Sequence, residues 1–361
     1  MPELSVHEIL ARALSGAPQA RISPEEALFL LRNAPLDELA AAAHEIKARR
    51  HGADVVGYTL FQVVNYTNVC RIGCSFCSFC RKREDADHWT LSPAQLRAKG
   101  LGAKSRGARQ IFLQGGVNPA FGLEEAEEAL RLFAGELGME VRGFSPAELL
   151  GFAETSGLPL ETVLRRLKAA GLSSVPGAGA EVLSDRVRAI LSPRKPSTAE
   201  WLRAMEACHR EGLRGTANIV FGSVETGEEV VEHLRLVRDL QDRTGGFHSF
   251  VAWTFQPQTR NFPIRDVPPE EYLRTIALCR LFFDNVDHVE VSLLGMGPEL
   301  GLRALRGGGD DVNSVVLEEN VLRSRAPTTI GGMEELLRGA GFVPRFRAFD
   351  FSDMERPAGV P

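Results

Sequence analysis

Four cysteines in one short stretch are the residues of this sequence with the most distinctive chemistry. Cys70, Cys74 and Cys77 are separated by three and then two residues, and Cys80 follows after two more. Thiolates at such close spacing suit soft metal centres, and a [4Fe–4S] cluster is normally held by four of them. If only the first three bind, one iron stays open for a substrate or cofactor. The sequence therefore predicts a three-cysteine cluster with an open iron.

Cys80 leaves two other interpretations open. Cys74, Cys77 and Cys80 have the C-x2-C-x2-C spacing of ferredoxin-type clusters, which would serve electron transfer. All four cysteines could also bind zinc, although structural zinc sites usually come as two separated pairs. In the three-cysteine interpretation, which we favour, Cys80 is a free thiol near the site or a small buried side chain.

The composition argues against several other classes of protein. The 361 residues are 44% hydrophobic and 25% charged, with a net charge of −5, which is ordinary for a globular protein. No run of Lys or Arg predicts a nucleic-acid surface, and no apolar segment is long enough to span a bilayer. The N-terminus lacks a secretory pattern, and clustered cysteines are typical of a reducing compartment. We therefore expect a cytoplasmic protein with no nucleic-acid partner.

The elements that must position the cysteines alternate along the chain. Residues 1–52 have helical periodicity and predict an N-terminal helical cap. Beyond them, short apolar runs alternate with amphipathic helices, which indicates a parallel sheet. Eight such runs predict an α/β fold, a closed (β/α)8 TIM-type barrel over 53–325, followed by a C-terminal extension, 326–361. The runs are 61–65, 110–113, 140–144, 173–175, 217–221, 250–255, 289–294 and 313–317.

Helix starts and polar loops follow from the same pattern. Capping boxes, in which a Ser precedes a Glu or Gln by three residues, begin at Ser23, Ser92, Ser145 and Ser197. Further helices are predicted to start near Leu123, Glu228, Pro269 and Pro298. Because the chemistry of such barrels sits at the carboxyl ends of the strands, the loops after the strands should form one site. The cysteine loop is the first of these loops.

The cysteine motif, with the aromatic Phe76 just before Cys77, resembles the radical S-adenosylmethionine (radical SAM) superfamily. The resemblance implies that Cys70, Cys74 and Cys77 ligate a [4Fe–4S] cluster whose open iron chelates SAM. It also implies that the reduced cluster cleaves SAM to a 5′-deoxyadenosyl radical, while the protein supplies placement and exclusion of water. Candidate cofactor-binding residues are Phe76, Gln114, Gly115, Gly116, Ser145 and Glu181.

Two of these assignments have ordinary structural alternatives. Gly115 and Gly116 let a ligand approach the backbone closely, and in the superfamily a glycine segment here contacts the SAM amino group. The same glycines also suit a simple turn. Glu181, in a Gly-rich loop, is a candidate acceptor for ribose hydroxyls, and a structural salt bridge would suit it almost as well.

Further segments resemble the futalosine-pathway enzymes of menaquinone biosynthesis. They are 65–70, 114–116, 144–146, 192–195, 240–246, 253–257, 272–275 and 318–320. The segments 144–146 and 253–257 are more similar to the cyclic dehypoxanthine futalosine synthases than to the aminofutalosine synthases. Aminofutalosine synthase, a deazaflavin synthase-like enzyme and a paralogue with altered substrate are the alternatives.

The cyclase resemblance implies a reaction and its participants. A ribose-centred radical attacks the benzoate ring of a nucleoside-like substrate, and loss of a proton and an electron restores aromaticity. A base near the aryl ring is then required, for which Glu225 and Glu181 are the candidates. The resemblance also implies a reductant such as flavodoxin or ferredoxin.

Three departures distinguish the chain from these relatives. Cys80 stands where the cyclases usually have Tyr, and Ser223 stands where a His is common. The segment 59–62 replaces a pair of oppositely charged residues. These changes put substrate contacts in doubt, because a shared fold does not fix a shared substrate.

Overall fold

The computed structural model describes residues 4–16, 20–256, 262, 264–318 and 326–357. The strands in these residues are β1 (Val55–Tyr58), β2 (Phe61–Asn65), β3 (Gln110–Gln114), β4 (Glu140–Gly143), β5 (Leu172–Ser174), β6 (Gly215–Phe221), β7 (Phe247–Thr254), β8 (His288–Val291) and β9 (Val343–Phe346). The helices are α1 (Val6–Leu14), α2 (Pro24–Asn33), α3 (Leu36–His51), α4 (Pro93–Ser105), α5 (Leu123–Leu130), α6 (Pro146–Ser156), α7 (Leu160–Ala170), α8 (Asp185–Leu191), α9 (Thr198–Arg210), α10 (Gly227–Thr244), α11 (Pro269–Phe282), α12 (Leu293–Arg306) and α13 (Ile330–Gly339). A π-helical turn, Arg131–Glu136, continues α5.

Two parallel half-sheets make up most of the barrel. β2, β3, β4 and β5 pair in that order in one half, and β6, β7 and β8 pair in the other. The halves meet at Val175, whose N–H donates to the Arg214 carbonyl (3.1 Å) and whose carbonyl accepts the Thr216 N–H (3.3 Å). This first seam joins β5 to β6 in the order that the sequence predicts.

The second seam is filled by an extended segment, residues 310–317, in the place of the predicted eighth strand. On one side, the Val291 N–H donates to the Asp311 carbonyl (2.7 Å). On the other, the Phe61 N–H donates to the Val315 carbonyl (3.0 Å). Only isolated bridges form here, so the segment is not a regular strand. It nevertheless completes the ring, and the predicted closed barrel is confirmed.

All four predicted serine capping boxes begin a helix. In each, the serine hydroxyl accepts the N–H three residues on, and the Glu or Gln side chain accepts the serine N–H. These bonds satisfy N–H groups that a helix cannot pair internally. Local sequence therefore fixes where α2, α4, α6 and α9 start.

The seventh predicted strand, 289–294, extends too far. β8 ends at Val291 and α12 begins at Leu293, because the Ser292 hydroxyl accepts the Gly295 N–H (3.0 Å) and caps the helix. The helix start predicted near Pro298 lies inside α12, at a kink where Gly297 has a φ of 77°. The proline marks this kink rather than the first turn.

Two strands that the sequence analysis missed close the amino-terminal end of the barrel. β1 precedes the first barrel strand and pairs in parallel with β9 from the C-terminal extension. The Arg347 N–H, just beyond β9, donates to the Tyr58 carbonyl (2.9 Å). The C-terminal extension therefore forms part of the amino-terminal end of the barrel, which is its floor.

The floor also carries a buried ionic contact. Arg347 is 1% exposed and donates to both carboxylate oxygens of Asp311, at 2.7 and 2.5 Å. Its guanidinium lies 3.9 Å from Glu290 and 4.0 Å from the centre of the Phe351 ring. Burial raises the pKa of Glu290, while Arg347 opposes the shift. Arg347 thus compensates carboxylates inside the barrel that no solvent reaches.

The N-terminal helices pack outside the barrel against α10 and α11. Lys47, on α3, is fully buried and donates to the Leu305 carbonyl (3.1 Å), and burial lowers its pKa to about 8. Arg50 donates to the carbonyls of Phe283 and Val286, both at 3.2 Å. The predicted boundaries 1–52, 53–325 and 326–361 stay a prediction. Among the described helices, none has the length and apolar character that crossing a membrane would require.

Replacing Arg347 should destabilise the fold far more than replacing Arg345, two residues earlier on β9. Arg347→Ala leaves buried carboxylates without a counter-charge, a change that costs about 3–5 kcal/mol. Arg345→Ala removes an exposed pair with Asp353 and should change stability little. Urea unfolding of both variants measures the difference. Equal stabilities would contradict the role given to the buried pair.

Candidate active site

The cysteine loop is anchored at its base by the residues that flank it. After β2, the Cys70 N–H donates to the Arg81 carbonyl (3.0 Å), and the Arg81 N–H returns to the Asn68 carbonyl (2.8 Å). The Asn68 side chain accepts the Trp89 N–H (2.7 Å), and the Thr67 hydroxyl donates to the Trp89 carbonyl (2.9 Å). The polar residues before Cys70 therefore hold the loop at the rim of the barrel.

Cys70 is the most strongly stabilised thiolate of the loop. Its sulfur faces the Cys80 thiol and the backbone N–H groups of Ile72, Val117 and Gly73, and these donors lower the pKa of Cys70 to about 5 against the effect of burial. The Val117 N–H lies 3.3 Å from the Cys70 Sγ. Because the thiolate is the form that ligates metals, the lowered pKa of Cys70 favours metal binding by this residue.

The other loop cysteines are half-buried free thiols. Burial raises the pKa of Cys74 to about 11, although the nearby Lys195 opposes this, and burial also raises the pKa of Cys77. Cys80 donates to the Cys70 carbonyl (3.4 Å). Its position beside Cys70 fits the three-cysteine interpretation, in which Cys80 is a neighbour of the cluster. The ligand set itself stays a prediction.

Gly116 brings the turn after β3 into direct contact with the cysteine loop. A Cβ at Gly116 would lie 2.1 Å from the Val69 carbonyl oxygen and 2.8 Å from the Cys70 Cβ. The Gly116 N–H donates to the Thr67 carbonyl (3.0 Å), and the Arg71 N–H donates to the Val117 carbonyl (2.9 Å). Only glycine fits here, so packing against the cysteine loop accounts for Gly116, and the predicted approach of a ligand to this backbone stays a prediction.

Glu181 lies at the same rim in a buried ion pair with Lys195. The Lys195 Nζ donates to Glu181 Oε1 (2.6 Å), and Arg188 lies 3.9 Å from Oε2. Glu181 has a φ of 42°, a conformation that residues other than glycine seldom adopt and that often marks functional sites. Its Oε2 is buried and accepts no hydrogen bond within the described residues. That oxygen is available to a ligand hydroxyl.

Lys195 is a site residue that the sequence analysis missed. It is buried beside Cys74, and its Nζ lies 5.5 Å above the Phe76 ring. The charges of Glu181 and Cys74 raise its pKa although burial lowers it. One feature of the sequence could have indicated it, because Lys195 is the last residue of the segment 192–195, which resembles the futalosine-pathway enzymes. A buried ammonium beside the cluster loop is suited to a ligand carboxylate.

The predicted base Glu225 is engaged by its own loop. Its carboxylate accepts the Gly222 N–H (2.7 Å), the Ser223 N–H (3.0 Å) and the Ser223 hydroxyl (2.6 Å). Arg265 lies 3.6 Å away. Glu225 thus closes the turn after β6, and its assignment as a base stays a prediction.

The remaining predicted cofactor residues are spread around the rim. Phe76 packs edge-on against Phe255, with ring centres 5.1 Å apart. Gln114 ends β3, opposite Asn65 in register. The Ser145 hydroxyl caps α6 and donates to Glu148 (2.6 Å). Whether each contacts SAM stays a prediction.

Comparisons with known proteins agree with this geometry. Residues 64–237 match the family model of the radical SAM superfamily, and residues 244–359 match the CofH/MqnC C-terminal region. A cyclic dehypoxanthine futalosine synthase of Streptomyces coelicolor is 38% identical over 98% of this chain and 90% of its own. One from Halalkalibacterium halodurans is 35% identical over 96% and 95%. A 5-amino-6-(D-ribitylamino)uracil–L-tyrosine 4-hydroxyphenyl transferase of Methanoculleus marisnigri is 34% identical over 88% of both chains.

Solved structures show the same fold at low sequence identity. Methylornithine synthase superposes with a TM-score of 0.72 at 18% identity, covering 93% of this chain and 97% of that one. The FeFe-hydrogenase maturase HydG of Carboxydothermus hydrogenoformans gives 0.76 at 17% identity, covering 96% and 80%.

A parallel barrel with this cysteine loop at its rim, matched by the superfamily model, defines a radical SAM enzyme that uses a [4Fe–4S] cluster and SAM. The near-full-length similarities go one step further. The chain belongs to the radical SAM family that includes the cyclic dehypoxanthine futalosine synthases.

The residues at the rim fit both cofactors. The loop supplies thiols, of which Cys70 already receives backbone N–H bonds of the kind that tune cluster thiolates. Glu181 Oε2 is a buried acceptor without a hydrogen-bond partner in the described chain. Lys195 adds a positive charge on a side chain that is 11% exposed. These groups offer a cation for the SAM carboxylate and an acceptor for a ribose hydroxyl.

Removing single loop cysteines should separate the three cluster ligands from Cys80. Cys70→Ala, Cys74→Ala and Cys77→Ala should each lose most of the iron and sulfide after anaerobic reconstitution, because each removes a thiolate ligand. Cys80→Ala should keep both. Iron and sulfide analysis with visible absorbance measures this. Loss of the cluster in Cys80→Ala as complete as in Cys70→Ala would support a four-cysteine site instead.

Replacing Lys195 should weaken SAM binding without removing the cluster. Lys195→Met takes away a charged hydrogen-bond donor, so the dissociation constant for SAM should rise at least about tenfold. Lys82→Met, at an exposed position of the same loop region, is the matched control. Calorimetric titration of the reconstituted proteins measures both. Wild-type affinity in Lys195→Met would exclude the contact.

Proposed function

We propose that the enzyme converts dehypoxanthine futalosine to cyclic dehypoxanthine futalosine in menaquinone biosynthesis. The observation that carries this proposal is the 38% identity to a cyclic dehypoxanthine futalosine synthase over 98% of the chain. The intact rim supports it, because the cysteine loop, the Gly116 contact and the Lys195–Glu181 pair lie together.

The residues of the chain have distinct tasks in this proposal. When bound, the cluster and SAM supply one-electron cleavage of a sulfonium C–S bond and hence hydrogen-atom abstraction from the substrate. Lys195 binds the SAM carboxylate, Glu181 accepts a ribose hydroxyl, and the Gly115–Gly116 backbone receives the amino group. These contacts hold the reacting atoms in one orientation. Such positioning can supply a large part of the rate acceleration.

The protein must also remove a proton after ring closure. The new bond to the benzoate ring interrupts its aromaticity, which returns when a proton and an electron leave. Glu181 and Glu225 are the proposed bases. Glu181 has an oxygen without a hydrogen-bond partner, whereas the Glu225 oxygens are held by loop N–H groups. That Glu181 oxygen cannot accept the ribose hydroxyl and the ring proton at once, so both carboxylates stay candidates for a base that must reach the proton it takes.

The electron donor and the compartment belong to the same proposal. A small electron carrier such as flavodoxin or ferredoxin would reduce the cluster, and the reaction would take place in the cytoplasm. The half-buried cysteines of the loop lie close to the surface, which supports reduction by an external carrier.

One anaerobic assay tests the substrate assignment. Reconstituted enzyme, SAM and reductant are incubated separately with dehypoxanthine futalosine, with an enolpyruvyl benzoate, and with 5-amino-6-(D-ribitylamino)uracil plus tyrosine. We expect a cyclic product from the first mixture, measured by mass spectrometry, together with 5′-deoxyadenosine. Cys74→Ala serves as the inactive control. Turnover of the second or third mixture alone would replace the proposed function by aminofutalosine synthesis or by the hydroxyphenyl transfer named for the archaeal relatives.

A further inference from the structure

One buried carboxylate joins the ends of three neighbouring barrel strands. Glu148 Oε2 accepts the Ser145 N–H (2.7 Å) and hydroxyl (2.6 Å), just after β4. Its Oε1 accepts the Tyr66 hydroxyl (2.8 Å), just after β2, and the Gly115 N–H (3.0 Å), just after β3. The side chain is thus bonded to residues just after three of the four strands of this half-sheet.

A capping box does not require this arrangement. In the Ser197 box of α9, the corresponding Glu200 is exposed, and among the described residues its carboxylate bonds only to Ser197. Glu148 is only 3% exposed. Burial raises its pKa to about 7, and what opposes the shift is hydrogen bonding from Ser145, Tyr66 and Gly115 rather than a neighbouring positive charge. The bonds to β2 and β3 are therefore additional to the start of the helix.

These additional bonds fix the backbone of the turn that carries Gly115. The peptide group between Gln114 and Gly115 is bonded on both sides. The Gly115 N–H donates to Glu148, and the Gln114 carbonyl accepts the Tyr66 N–H (3.2 Å). The next peptide donates the Gly116 N–H to the Thr67 carbonyl (3.0 Å). With both peptide planes held, the Gly115 carbonyl receives no hydrogen bond from the described residues and faces away from these partners.

The same turn reaches the cluster loop one residue later. The Val117 N–H lies 3.3 Å from the Cys70 Sγ, and a Cβ on Gly116 would collide with the Val69 carbonyl. A rotation of the peptide before Gly115 would therefore be passed along the turn, first to the Gly115 carbonyl and then to the Val117 N–H that bonds the cluster thiolate.

We propose that Glu148 is a positioning residue for SAM. By accepting the Gly115 N–H, it holds the Gly115 carbonyl towards the SAM amino group and keeps the Val117 N–H on Cys70. It acts through these backbone groups and touches neither the cofactor nor the substrate. The inference rests on the cofactors alone, so its test is independent of which substrate the enzyme takes.

Glu148→Asp in the reconstituted holoenzyme is the direct test. Aspartate keeps a carboxylate at the capping-box position, but it is one methylene too short to reach Gly115. We expect wild-type iron content, a dissociation constant for SAM raised about 10- to 100-fold, and a diminished change in the electron paramagnetic resonance spectrum of the reduced cluster when SAM is added. Glu200→Asp, the same change in the same motif, should leave all three measurements as in wild type.

Two results would overturn the proposal. One is wild-type SAM affinity and spectral response in Glu148→Asp, and the other is an equal loss in Glu200→Asp. If Glu148→Asp fails to fold or to hold iron, Tyr66→Phe decides the matter, because it removes one donor to Oε1 and leaves α6 capped. Because the Tyr66 hydroxyl helps to orient Oε1 towards the Gly115 N–H, this change should raise the SAM dissociation constant while the iron content stays as in wild type. An unchanged constant would refute the role of Glu148.

Discussion

The cysteine loop and the turn after β3 meet through backbone atoms, and the architecture of the rim depends on that contact. No side chain fits between Gly116 and Val69, so the loop is positioned against the barrel itself. A contact of this kind is stiff, because packed backbone cannot repack as side chains do. It transfers the rigidity of the parallel sheet to Cys70, and the hydrogen bond from Val117 N–H adds a polar component.

Charge is placed at the two ends of the barrel in different ways. At the floor, the fully buried Arg347 compensates Asp311 and Glu290 within the fold, and one Glu290 oxygen has no hydrogen-bond partner among the described residues. At the rim, Lys195 and Glu181 also pair, yet one Glu181 oxygen lacks a hydrogen bond from the described chain. Buried polar groups are normally satisfied, so a group that is not invites a functional explanation.

Sequence alone predicts those features of the protein that depend on residues close together in the chain. Cysteine spacing predicts the cluster loop, and serine capping boxes predict the starts of α2, α4, α6 and α9. β1 and β9 were missed because their pairing joins residues from opposite ends of the chain. Lys195 and Glu148 were missed for a related reason. Lys195 acquires its role from contacts with other segments, and Glu148 looks like an ordinary capping residue until the strands beside it are in place.

The pairing of β1 with β9 also constrains the order of events during synthesis. A ribosome delivers Val55 long before Val343, and the barrel floor needs both. Contacts between such distant residues form late, since loop-closure entropy opposes them. The half-sheet from β2 to β5 can assemble while the chain is still growing, but its open edge at β2 stays uncovered until residues 310–317 arrive. Until then the cysteine loop stands on an unfinished barrel, so a cluster inserted after the barrel has closed would be better protected.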